Sequence, residues 1–148
     1  MIDHKKFIDV AYREALKAFG KDEVPVGAVV VKGGIVISKA HNQRIVKKNA
    51  LYHAEVLAIE RACKKIGTYR LDGFSIYVTL EPCLMCVGAI LQARIKEVVF
   101  CSKNEKEGAI VSKYTVLDDK KLSQRADYLF IPDERCSGLL REFFKRKR

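Results

Sequence analysis

Residues 74–102 read FSIYVTLEPCLMCVGAILQARIKEVVFCS. The β-branched and aromatic run FSIYVTL at 74–80 predicts a strand. The apolar stretch at 83–94 predicts a buried helix, and EVVFCS at 97–102 predicts a second strand. Upstream, Ala54, Leu57, Ala58, Ala62 and Ile66 recur at helical spacing, which predicts a helix from about Leu51 to Ile66. Before it, VPVGAVVV and GIVISKA flank KGG, the pattern of a β-hairpin. Residues 2–19 carry Phe7, Ile8, Ala11, Ala15, Leu16 and Phe19 on one helical face, with Gly20 as the stop. Downstream, 103–113 is a charged loop with Gly108, and 114–125 is ambiguous. DYLFI is a last short strand, and Pro132 is expected in the first turn of a helix running to Arg148. A helix, a hairpin, then strands alternating with helices imply an α/β fold. The expected architecture is three α/β/α layers around a mixed sheet of about five strands. No linker, repeat or low-complexity tract interrupts residues 1–148, so a single domain is expected.

Composition narrows the class. The chain has 148 residues, 49% of them apolar, enough for one core. No apolar run approaches the ~18–20 residues of a membrane span. The first twenty residues are amphipathic and lack the uninterrupted apolar core of a secretory signal, so a cytoplasmic protein without membrane association is expected. Lys and Arg total 28 against 18 Asp and Glu, a net charge of +10 that suggests a polyanionic partner, nucleic acid first. Of five cysteines, Cys63, Cys101 and Cys136 lie in or beside apolar segments and read as small buried hydrophobes.

The other two, Cys83 and Cys86, stand one helical turn apart at a predicted helix start behind Pro82. The dipole end of a helix lowers thiol pKa and favours thiolate. Taken alone, C-x-x-C fits a metal site, a redox pair or two structural cysteines. No second C-x-x-C and no H-x-x-x-H supplies a closed four-ligand site, whereas a catalytic site needs only three protein ligands and leaves a position for water. The histidines are His4, in an N-terminus expected to be mobile, His41, and His53, which begins the other buried helix. If both helices pack on one sheet, their N-termini converge, and Glu55 can face the same point as His53.

HAEVLAI at 53–59 together with TLEPCLMC at 79–86 resembles the H-x-E and P-C-x-x-C signature of the zinc-dependent cytidine and deoxycytidylate deaminases. DEVPVGAVVV near the start, an asparagine about ten residues before the histidine, KEVVF after the cysteine helix and a terminal FF with basic residues extend the likeness to the bacterial tRNA-specific adenosine deaminases over nearly the whole chain. The resemblance implies a cytidine deaminase-like fold, one zinc ion per chain on His53, Cys83 and Cys86, and Glu55 as the catalytic proton carrier. It implies hydrolytic deamination of adenosine to inosine at the wobble position of a tRNA anticodon loop by a zinc-activated hydroxide, and a homodimer. It places Asn42 on the flipped base; the plainer reading is a loop asparagine capping a turn. The family usually has proline and small residues where this chain has Leu51 and Tyr52, and aspartate where it has Asn104.

The charge is localised. KAHNQRIVKK at 39–48 holds Lys39, Arg44, Lys47 and Lys48 without an acid, and REFFKRKR at 141–148 holds five bases and one acid. Both clusters lie where the resemblance implies contact with a tRNA anticodon stem-loop. Candidate RNA contacts are Arg44, Lys47, Lys48, Asn104, Lys106, Lys145 and Arg146. Phe143 and Phe144 read as base-stacking or core residues, and at least one is expected to pack inside, since adjacent residues cannot share a helical face. Two rivals remain. A deaminase of a small free base or nucleoside, guanine or cytosine, shares every catalytic residue and lacks a use for the basic clusters. A noncatalytic RNA-binding or structural zinc protein has no use for Glu55.

Overall fold

The computed structural model describes residues 2–147. Helix α1 (His4–Gly20) precedes the hairpin β1 (Gly27–Lys32) and β2 (Ile35–His41); α2 (Ala54–Ile66), β3 (Ser75–Val78), α3 (Leu84–Gln92) and β4 (Glu97–Phe100) follow. A 3-10 turn at Val116–Asp118, β5 (Asp127–Phe130) and α4 (Glu134–Arg146) end the order. The five strands form one mixed sheet in the order β2-β1-β3-β4-β5. β1 runs antiparallel to both β2 and β3, whereas β3, β4 and β5 are parallel.

Strand alternation divides the core in two. Ala28 and Val30, Ile76 and Val78, and Val98 and Phe100 face α2 and α3. Val29 and Val31, Tyr77, and Val99 and Cys101 face α1, and Cys136 of α4 joins them. With side chains buried on both faces, the central strands read as continuous apolar runs, which is why they stand out in the sequence. Gly33 and Gly34 take φ of 56° and 78°, the left-handed pair that a two-residue hairpin turn requires. Gly27 lies against the backbone of α1, where a Cβ would collide with the Ala11 carbonyl, so α1 seats directly on β1.

Several expectations shift. α2 begins at Ala54, not Leu51, because residues 43–52 close turns of their own and His53 is the N-cap. Pro132 precedes the N-cap Asp133 of α4 and lies outside its first turn. Gly20 is the last residue of α1, and Lys21 caps it. His4 is not in a mobile tail: it sits in α1 with Nδ1 2.6 Å from the Tyr77 hydroxyl. Phe143 is the packed member of its pair, 6% exposed against Phe19, while Phe144 is 50% exposed. The expected end of α4 at Arg148 lies outside the described residues. Among the described residues, no helix is long and apolar enough to cross a membrane.

Candidate active site

The carboxyl ends of the parallel strands are where α/β sheets place ligand sites. The residues after β3 and β4 open there onto a cleft of about 1520 Å³. His53 and Cys83, as N-caps of α2 and α3, bring two helix N-termini to one point. His53 Nδ1 lies 3.4 Å from Cys86 Sγ and 3.7 Å from Cys83 Sγ. All three donor atoms fall within 4.8 Å of one another, so the group can hold a metal ion. The fit is chemical as well as spatial. Tetrahedral zinc with Zn–S of ~2.3 Å and Zn–N of ~2.0–2.1 Å would separate sulfur from nitrogen by about 3.5 Å. Soft sulfur with imidazole nitrogen suits zinc, and three protein ligands leave a position open.

The electrostatics follow from this proximity. The hydrogen bond with Cys86 brings the Cys83 thiol down to about 4, against the effect of burial and with a further contribution from His53. The same bond, with burial, pushes Cys86 up. Hydrogen bonding to Cys83 raises the pKa of His53, while burial opposes it. Glu55, 3% exposed in the first turn of α2, is raised to about 7 by burial, against the lowering effects of the His53 charge and its own backbone N–H.

Asn42 follows β2 and lines the cleft. Its Oδ1 accepts the Ala54 N–H at 2.7 Å, so it caps α2. A backbone N–H can only donate, which fixes the amide orientation and leaves the NH₂ group available to a ligand. The turn-capping contact and a ligand contact are thus compatible. Arg44, Asn104, Lys106 and Lys145 also line the cleft. Lys47 and Lys48 are exposed in the 43–52 turns without lining it. Arg146 stacks its guanidinium 4.6 Å from the Phe19 ring centroid and bonds Glu142, so it faces α1. Tyr52 is half-buried against the core under α2, and Leu51 is exposed.

The cleft lining also includes Glu81, Lys103 and Arg141, which fall outside the sequence-based candidates for the site. Arg141 and Phe144 share a face of α4 with Lys145. The i, i+3, i+4 spacing of Arg141, Phe144 and Lys145 is readable, but which face of α4 meets the cleft is not.

Known proteins resemble this chain over nearly its whole length. The family model of the MafB19-like deaminases matches residues 2–148. The tRNA-specific adenosine deaminase of Aquifex aeolicus (strain VF5) is 48% identical over 142 residues, which cover 96% of this chain and 94% of that protein. A structure from a study of A-to-I editing by tRNA:A34 deaminases at the wobble position of transfer RNA superposes with a TM-score of 0.89 at 34% identity, covering 92% of this chain and 99% of that one. The guanine deaminase of Bacillus subtilis superposes at 0.67 with 30% identity, covering 98% and 95%. The chain therefore belongs to the MafB19-like deaminases, by the family model, and to the tRNA-specific adenosine deaminases, by its relatives.

Proposed function

We propose that residues 1–148 form a single zinc-dependent deaminase domain that converts adenosine to inosine at the wobble position of a tRNA anticodon loop. The observation that carries this reading is the pairing of the His53, Cys83 and Cys86 donors with a buried carboxyl, Glu55, in one cleft. One zinc ion per chain on these donors would lower the pKa of a water molecule so that a nucleophile exists at neutral pH. Glu55 takes one proton from the water that attacks C6 and delivers it to the ring nitrogen; it then carries the second proton, from the hydroxyl now on C6, to the departing amine as the carbonyl forms, so that adenosine and water give inosine and ammonia. The NH₂ of Asn42 donates to an acceptor on the flipped base, held in place by the Ala54 bond.

Cleft size and charge support RNA over a free base. Pockets for small molecules run to roughly 300–1,000 Å³, and this cleft exceeds them. Arg44, Lys106, Arg141 and Lys145 on its walls suit phosphates, and exposed Phe144 suits an unstacked base. Asn104 joins the wall as a candidate backbone contact, while Lys47, Lys48 and Arg146 would reach only RNA extending beyond the cleft. A homodimer and a cytoplasmic location complete the reading. The Bacillus subtilis guanine deaminase likeness keeps a free-base substrate as the second reading. Incubating the purified protein with tRNA carrying adenosine at the wobble position, in parallel with free guanine and cytosine, separates the two. Inosine, scored by nuclease digestion and mass, is expected in the tRNA. Turnover of a free base with unmodified tRNA would overturn the proposal.

A further inference from the structure

Glu81 is buried to 1% exposure and takes no part in the chemistry above. Its carboxylate collects five donors from one loop. Oε1 accepts the Asn104 N–H at 3.2 Å and the Ser112 hydroxyl; Oε2 accepts the N–H groups of Ile110, Val111 and Ser112 at 3.0, 2.8 and 3.0 Å. The loop bears no helix or strand of its own there, so these N–H groups have no ladder to join. Without the carboxylate, several would be buried and unpaired. Gly108 is required at the same place, since a methyl group would run into the Glu81 carboxylate. The main chain reinforces the contact: Glu81 N–H donates to Ser102 O at 2.8 Å, and Ala109 N–H donates to Pro82 O at 2.9 Å. The loop wrapped in this way presents Asn104, Glu105, Lys106 and Glu107 to the cleft.

Building on the RNA reading above, we infer that Glu81 is a positioning residue for substrate recognition: its buried carboxylate holds residues 104–112 so that Asn104, Glu105, Lys106 and Glu107 form the cleft wall that meets the RNA. It acts through the loop backbone and does not touch the reacting atoms. Glu81→Gln is the direct test in the full-length, zinc-loaded protein. Glutamine keeps one acceptor oxygen, so its NH₂ must face either three backbone donors or the Asn104 N–H and the Ser112 hydroxyl. Hydrogen exchange at Asn104, Ile110, Val111 and Ser112 should quicken on the order of tenfold or more, with the sheet unaffected. Zinc content should stay at the wild-type level. KM for an anticodon stem-loop should rise on the order of tenfold while kcat stays within about threefold, the pattern expected when uniform binding is weakened. Gly108→Ala strains the same contact on the loop side and should raise KM likewise. If Glu81→Gln fails to fold, that variant carries the test. Combined, the two should not add, because they break one contact.

A loosened loop with unchanged KM in both variants would overturn the role of Glu81 alone. So would a fall in kcat with loss of zinc, which would make Glu81 a support for Cys83 instead. A wild-type protein inactive on RNA would overturn the RNA reading and the recognition role with it.

Discussion

Glu55 and Glu81 are both shut away from water, and both stand beside the N-terminus of a helix, yet their surroundings have opposite consequences. Around Glu81, four backbone N–H groups and a hydroxyl outweigh burial and hold the carboxyl below the usual carboxylate range. Around Glu55, burial prevails: the carboxyl meets little beyond its own N–H and the Cys86 thiol, and its pKa rises to about 7. Two other carboxylates are buried among the described residues and bonded by several donors. Glu23 accepts the N–H groups of Ile45 and Val46, and Glu14 is bonded by His41 and Lys17. A buried carboxylate saturated with donors is an anchor; one left short of donors can exchange a proton. Among the described residues, Glu14, Glu23 and Glu81 are of the first kind, and Glu55, beside His53, Cys83 and Cys86, is short of donors.

The largest effect expected is from the metal donors that make Glu55 useful. Cys83→Ser with Cys86→Ser should abolish zinc binding and all deamination, read by elemental analysis and inosine formation. Zinc retained by the double variant would dissolve the link between the two halves of the site. Next comes Asn42→Ala. Loss of a hydrogen bond to the base in a closed pocket should lower kcat/KM for the stem-loop by roughly ten- to a hundredfold without loss of zinc. Unchanged kinetics would leave Asn42 as a helix cap only.

The cationic wall should matter less for chemistry than for affinity. Arg141→Ala with Lys145→Ala should weaken RNA binding and flatten its salt dependence. For every phosphate left without its cation, the slope changes by about 0.7–0.9 log units of affinity per log unit of salt. Parallel slopes would remove α4 from the interface. The smallest effect concerns an anchor. Burial alone would raise the pKa of Glu14, but the hydrogen bonds and charges of His41 and Lys17 bring it down to about 2 from 4.5. A depressed carboxyl stabilises the fold above its unfolded pKa and loses that contribution as pH falls. Stability should therefore decline between about pH 4.5 and pH 2. Glu14→Gln should shallow that decline in chemical denaturation. An identical profile would mean that Glu14 is not held by its partners.

The contrast also explains what the sequence can reveal. His53, Glu55, Cys83 and Cys86 lie in short motifs on helix starts, so the resemblance to deaminase motifs picks them out, and placing both helices on one sheet lets their N-termini converge. The central strands are readable because burial on both faces makes them continuously apolar. Glu81 and Glu23 are opaque as anchors. Their partners are backbone N–H groups 22 to 31 residues away, and backbone donors leave no mark in residue identity. The split between Phe143 and Phe144 follows from helical geometry, but which one packs depends on where Phe19 of α1 lies. Arg146 reads as a tail cation, and its stacking on that same phenylalanine leaves no mark in the sequence.

The most direct test is Glu55→Gln, which keeps the shape of the side chain and removes its capacity to carry a proton. Zinc per chain and inosine formation in a wobble-adenosine stem-loop should be measured on the same preparation. The expected result is wild-type zinc content, unimpaired stem-loop binding and a fall in kcat of ~10²–10⁴-fold or more. Turnover near the wild-type rate with zinc in place would contradict the assignment of Glu55 as the proton carrier, and loss of zinc would make it a ligand.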